Sequence, residues 1–176
     1  MSLKTKHEVA RKKIDEIYTQ ALIKKKIPME FKYVGSEIKQ NLEKEIASQV
    51  EGKCIVEGFV KPNSVKILTY SSGILNSDKV IFHVIFECLI CSPMEGMYIS
   101  CVAINITKAG IRAETHESPS PLVIFIARDH HYNSPYFASV KERENLTIRV
   151  IGQRFELNDK SIAIIAELIE PKLLKK

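Results

Sequence analysis

Val80-Ile81-Phe82-His83-Val84-Ile85-Phe86-Glu87-Cys88-Leu89-Ile90, followed by Cys91-Ser92-Pro93, is the most strand-like stretch of this 176-residue chain. His83 and Glu87 interrupt its apolar run, so it falls short of the roughly 18 uncharged residues a membrane helix requires. It reads instead as one long strand, and Ser92-Pro93 ends it. The texture of the sequence differs on the two sides of that boundary.

On the N-terminal side, Met29–Val34 predicts a short strand. Gly35-Ser36 then opens a helix, with Ser36 as N-cap and Ile38, Leu42 and Ile46 four apart on one face. Strand-like stretches follow at Cys54–Val60 and Val65–Thr69, with turn chemistry at Pro62-Asn63 and Ser71–Asp78. Together with Val80–Ile90 these elements form an α+β unit of about 60 residues. On the C-terminal side short strands follow one another: Tyr98–Thr107, Gly110–Thr115, Leu122–Ala127, Leu146–Ile151 and Ile162–Ile169. Five such strands in about 75 residues suggest a small closed barrel of the OB type, with Arg128–Arg143 as its longest irregular stretch. Residues 4–26 predict an amphipathic helix, because Ile14, Ile17, Tyr18, Ala21 and Leu22 keep helical spacing and Ile27-Pro28 ends it. The expected organisation is therefore a basic helical extension over 1–27, an α/β unit over 28–92 and a barrel over 93–176.

The formal net charge is +5, from 26 Lys+Arg and 21 Asp+Glu. All of the excess lies in residues 1–26, and the remaining 150 residues carry equal numbers of basic and acidic side chains. The body of the protein is not basic, so charge alone makes no case for nucleic acid there. Residues 1–26 lack the apolar region of a signal peptide. The cysteines Cys54, Cys88, Cys91 and Cys101 offer a single Cys-x-x-Cys pair, and a strand would point its two members to opposite faces. Buried reduced thiols are expected, with no metal and no cofactor.

Enzymatic constellations are scarce. The chain has no phosphate loop, no dinucleotide fingerprint and no His-Glu-x-x-His. Asp129-His130-His131 has the letters of a metal-dependent phosphoesterase motif but no carboxylate-rich cluster to accompany it. The expected reading is a protein without catalytic residues. An OB barrel reads single strands by stacking and by basic side chains at strand ends and loops. The candidates here are Lys108, Arg112, Arg128, His130, His131, Tyr132 and Arg154.

Val50-Glu51-Gly52-Lys53-Cys54, Gly58-Phe59-Val60, Val80–Pro93 and Glu95-Gly96-Met97 together resemble the larger stalk subunit of archaeal and eukaryotic RNA polymerases. The barrel adds Val102, Thr107-Lys108-Ala109-Gly110-Ile111, Val123–Ala127 and Val150-Ile151 to the resemblance. In that family (subunit seven of polymerase II and its archaeal counterpart) a tip domain leads through a strand–Pro–x–x–Gly join into an OB barrel of the ribosomal S-one type. The join is matched by Cys91-Ser92-Pro93-Met94-Glu95-Gly96. Phe125-Ile126-Ala127-Arg128-Asp129-His130-His131 and Ile151–Asp159 are similar to versions in large nucleocytoplasmic DNA viruses.

The resemblance covers residues 29–170 and implies a non-catalytic subunit whose tip wedges into the polymerase core while its barrel sits near the exiting RNA. It implies core polymerase subunits, a small second stalk subunit and weakly held nascent single-stranded RNA as partners, and no membrane. It also implies a place inside the host cell, in cytoplasm or nucleus, and in the virion. Gly58, Phe59, Pro62, Asn63, Phe82 and Phe86 are the core-docking candidates. The barrel departs from RNA-binding S-one domains in having Ala109 and Arg112 where stacking aromatics stand and Phe125 at the usual His position. A free-standing S-one-type RNA-binding protein of translation or decay is the alternative, and the neutral body weighs against it.

Overall fold

The computed structural model describes residues 15–170, and two hydrophobic cores organise them. The first lies under a six-stranded sheet whose organiser is the long apolar strand that precedes Ser92-Pro93. That strand, β6 (Lys79–Cys91), pairs with β1 (Tyr18–Glu30) along its whole length, from Tyr18 opposite Cys91 to Glu30 opposite Lys79. On its other side β6 pairs with β3 (Gly58–Val60), β4 (Lys66–Tyr70) and β5 (Ile74–Asn76), and β3 pairs with β2 (Cys54–Ile55). The even-numbered residues of β6 from Val80 to Ile90 are buried. Leu42, Ile46 and Val50 of α1 (Ile38–Val50) lie in the same core, and burying a side chain such as Phe86 contributes about 1.5–3 kcal/mol.

The second core fills a closed barrel of β7 (Tyr98–Ile106), β8 (Gly110–Glu114), β9 (Leu122–Ala127), β10 (Asn145–Arg154) and β11 (Ile162–Ile169). Around the barrel the order is β7-β8-β9-β11-β10, back to β7, with β9 and β11 parallel. Five strands closed in this way form an OB-type barrel. Its strands fall on the five stretches read as short strands, two of them residue for residue and the others within three residues at their ends. A short helix, α2 (Pro135–Ser139), capped by Ser134 Oγ accepting from Phe137 N at 3.3 Å, lies between β9 and β10.

Several expectations are corrected. Residues 18–26 are strand and not helix, and the rest of the expected extension, residues 1–14, lies outside the described residues together with 171–176. The physical reason is that Ala21, Ile23, Ile27 and Met29 also satisfy a period of two, and pairing with a 13-residue partner decides between the periods. Pro28 does not end the element. It is tolerated because β1 is an edge strand, paired on one side only. The strand expected at Met29–Val34 gives way after Glu30 to a 3-10 turn over Phe31–Tyr33. Ser36 is not the N-cap: the helix starts at Ile38 after Glu37, with no side-chain cap bond. Cys54–Val60 is a hairpin of two short strands, and the Ser71–Asp78 turn contains β5.

Sheet and barrel are joined by packing as well as by chain. Cys54, Phe59 and Cys91 belong to the sheet yet lie in the barrel core, whereas Cys88 lies in the sheet core. Gly58 makes the approach possible. At φ +138°, a Cβ there would collide with the Cys91 carbonyl oxygen and stand 2.9 Å from Ile90 Cγ2. All four cysteines are buried and unpaired. Burial pushes the thiols of Cys54 and Cys88 up to about 11 and those of Cys91 and Cys101 up to about 12.

Candidate nucleic-acid interface

Alternation along β8 and β9 puts Ile111, Ala113, Ile124 and Ile126 inside the barrel and turns Arg112 and Phe125 outward. Cross-strand register then assembles a row on the outer face: Asn105 opposite Arg112, Arg112 opposite Phe125, and Phe125 opposite Ile165. Phe125 is 39% exposed and Ile165 50%, a large apolar area for an open barrel face. Gly110 keeps the ring close to β8, because a Cβ there would stand 3.0 Å from Phe125 Cζ. The next outward row runs Glu114, Val123, Ala163 and Arg154, so Arg154 shares this surface.

The β7–β8 loop borders the row. Thr107 N donates to Gly110 O at 2.9 Å, and Gly110 N donates back to Thr107 Oγ1 at 3.3 Å. Arg128 secures the loop from outside: its Nε donates to Lys108 O at 2.8 Å and its Nη2 to Thr107 O at 3.2 Å. Both bonds use the guanidinium that residue type alone assigns to a ligand. Arg128 holds the loop, and Lys108 stands exposed on it.

Charge on the face is largely compensated. Arg112 Nη2 is 3.1 Å from Glu114 Oε1, and Arg154 Nη2 is 3.4 Å from Glu156 Oε1. His130 and Tyr132 are exposed beside the loop, and Tyr132 Oη donates to Asp129 Oδ1 at 3.4 Å. His131 is a correction. It is buried, its Nδ1 bonds Ala127 O at 2.9 Å, and its Nε2 accepts from Leu168 N at 2.9 Å. That pattern assigns the neutral Nδ1–H tautomer. The ring also stacks on Phe137, with centroids 5.0 Å apart. His131 is therefore a clamp between β9 and β11, with both ring nitrogens engaged inside the protein.

The β10–β11 loop, which in OB barrels often serves the ligand, is occupied here. Cys54 N donates to Asp159 O at 2.7 Å and Asn158 N donates to Cys54 O at 2.8 Å, tying the loop to the sheet. A second tie lies at Glu117, whose carboxylate accepts from Tyr18 Oη at 2.9 Å and lies 3.3 Å from Lys61 Nζ. Burial, then the Glu117 bond, pushes the Tyr18 hydroxyl well above its ordinary range.

The expected docking residues are mostly internal. Gly58, Phe59, Phe82 and Phe86 are buried, so none of them can meet a partner directly; Pro62 and Asn63 remain at the surface. There Asn63 N donates to Glu51 Oε2 at 2.9 Å. The sheet exposes a group of large apolar side chains at its end farthest from the barrel. Phe31, Tyr33 and Val34 lie just beyond the Glu30–Lys79 pair, and Ile74 and Leu75 lie beside it on β5. Leu75 is 71% exposed. The sequence signal for this end was two apolar groups inside otherwise turn-like segments; Phe125 left none, since every residue of β9 is apolar.

Among the described residues no group of three or more His, Cys, Asp or Glu is placed to hold a metal ion, and no helix is long and apolar enough to cross a membrane. No protein-family model matches the chain. The chain is similar to a protein of Acanthamoeba polyphaga mimivirus named as a candidate DNA-directed RNA polymerase subunit, 24% identical over 171 residues. That likeness covers 88% of this chain and 83% of the mimivirus protein.

Proposed function

We propose that this chain is a non-catalytic stalk subunit of a multisubunit DNA-directed RNA polymerase of a large DNA virus. The observation that carries the reading is the mimivirus likeness over nearly the whole length, on a chain that folds as a sheet-and-helix unit followed by an OB-type barrel. In this reading the sheet unit is the tip domain, extended backwards to include β1, and the barrel is of the S-one type. The tip docks on the core polymerase subunits through the exposed end formed by Phe31, Tyr33, Val34, Ile74 and Leu75. A small second stalk subunit completes the assembly, which acts inside the infected cell and is packaged in the virion.

Nascent single-stranded RNA runs over the β8–β9 face. Phe125 supplies one stacking ring and Lys108 one uncompensated cation, with His130 and Tyr132 at the border. Because Arg112 and Arg154 already face carboxylates, this contact is weak, as suits RNA that must keep moving. Affinity purification of the tagged chain from its native source tests the reading. Large catalytic polymerase subunits are expected in stoichiometric amount with the wild type, and are expected to be lost with Ile74→Asp/Leu75→Asp. Their absence from the wild-type preparation would overturn it.

A further inference from the structure

The β6 strand is apolar on both faces, and only one face is covered. Val80, Phe82, Val84, Phe86, Cys88 and Ile90 lie in the core, whereas Ile81, Ile85 and Leu89 point the other way and, among the described residues, pack into neither core. On that second face Ile81, Ile85 and Leu89 alternate with His83 and Glu87, so three large aliphatic side chains stand along it without a covering layer. The neighbouring strand extends the second face: Leu22 of β1 stands opposite Glu87 and is 66% exposed. On the β1 side, Lys24 lies opposite Ile85 and Lys26 opposite His83.

The carboxylates on this face are already engaged. Glu87 accepts from Gln20 Nε2 at 2.8 Å and lies 3.7 Å from Lys66 Nζ, and Glu30 lies 2.7 Å from Lys32 Nζ. Lys24 and Lys26 have no carboxylate partner among the described residues. The face is an apolar ridge with an unneutralised basic flank.

We infer that an amphipathic helix of another polypeptide, with acidic residues flanking its apolar stripe, covers this open sheet face. A helix is the layer that completes a sheet already covered by a helix on its other side. Charge selects the occupant. Residues 1–14 and 171–176 of this chain are basic, and a second copy would bring lysines to lysines, so each is repelled where an acidic flank is attracted. The β6 ridge carries no Phe, Tyr or Trp, and its one ring, His83, stands opposite Lys26 between aliphatic and acidic neighbours, which makes it a poor platform for a run of nucleobases. From Ile81 to Leu89 the ridge runs about 26 Å, which a helix of about 17 residues spans. The inference goes beyond the docking end described above and does not depend on it.

The test places the photo-crosslinker p-benzoylphenylalanine at position 24, at position 75 and, on the outer side of α1, at position 39, each in full-length chain purified within its native assembly. Crosslinks from position 24 are expected to map to one segment of another polypeptide, with carboxylates beside an apolar stripe of helical spacing. A synthetic peptide of that segment should bind the isolated chain, and Lys24→Glu/Lys26→Glu should weaken it by about tenfold with the melting temperature unchanged. Crosslinks from position 24 to nucleic acid, to a second copy, to residues 1–14 or to nothing would overturn the inference. Position 75 reports on polymerase docking instead, so the two readings fail separately.

Discussion

Replacing His131 by alanine separates a structural role from a ligand-binding one. The substitution strands Leu168 N–H, which loses its 2.9 Å acceptor, and Ala127 C=O, which loses its 2.9 Å donor. Each stranded group costs about 1–3 kcal/mol, and loss of the stack on Phe137 adds about 0.5–1.5 kcal/mol. Water can recover part of the carbonyl's loss, which sets the expected cost at about 3 kcal/mol. For a chain of this size that lowers the melting temperature by about 6–12 °C. Thermal unfolding followed by far-ultraviolet circular dichroism measures it. Fluorescence anisotropy with a labelled single-stranded oligoribonucleotide, well below the variant's midpoint, supplies the second readout, and an affinity within about twofold of wild type is expected. An unchanged melting temperature combined with a tenfold or greater loss of RNA affinity would refute the clamp and restore His131 as a ligand contact.

Four further outcomes follow from the geometry. Gly58→Ala forces a side chain into the left-handed region and against the Cys91 carbonyl, at a cost of about 3 kcal/mol; a melting temperature within about 2 °C of wild type would sink that account. Phe125→Ala should weaken oligoribonucleotide binding by about 1–3 kcal/mol, measured by anisotropy. Lys108→Ala should reduce the salt slope by about 0.7, and Arg112→Ala by less because Glu114 already neutralises that charge; equal slopes for the two would contradict it. For the thiols, the folded-state values of about 11 (Cys54, Cys88) and about 12 (Cys91, Cys101) lie above those of the unfolded chain. Their contribution to stability is thus complete below about pH 8.5 and is lost as pH rises toward the folded values. The urea midpoint should fall between neutral pH and pH 10, and iodoacetamide should label the four thiols at the unfolding rate; a rising midpoint or rapid native-state labelling would count against their burial.

The barrel was legible through β10, where Leu146, Ile148 and Val150 alternate with more polar neighbours, and through short apolar runs bounded by turns, as in β9 and β11. Alternation also locates β6, and Ile38, Leu42 and Ile46, four apart, locate the face of α1, which the structure carries on to Val50. β1 was misread because Ala21 and its neighbours fit two periods at once, and the deciding partner lies some sixty residues away. The candidate site was legible by residue type and not by engagement. Nothing local indicates that Arg128 is spent on two loop carbonyls, or that His131 is held by an amide 37 residues further on. Phe59, Phe82 and Phe86 looked like docking residues because an aromatic in a strand reads the same from either side of a sheet, and only the position of α1 and the barrel assigns the buried side.

The two ties between sheet and barrel, at Cys54–Asp159 and at Tyr18–Glu117–Lys61, make the molecule a lever arm. Its shaft is β6, whose 13 residues reach about 43 Å before the chain passes directly into the barrel. With both joints held, a tilt of the shaft by about 10° as one unit carries its opposite end through about 7 Å. In the proposed stalk role, a small rearrangement at the docked end near Leu75 therefore moves the barrel end of β6 by about that distance.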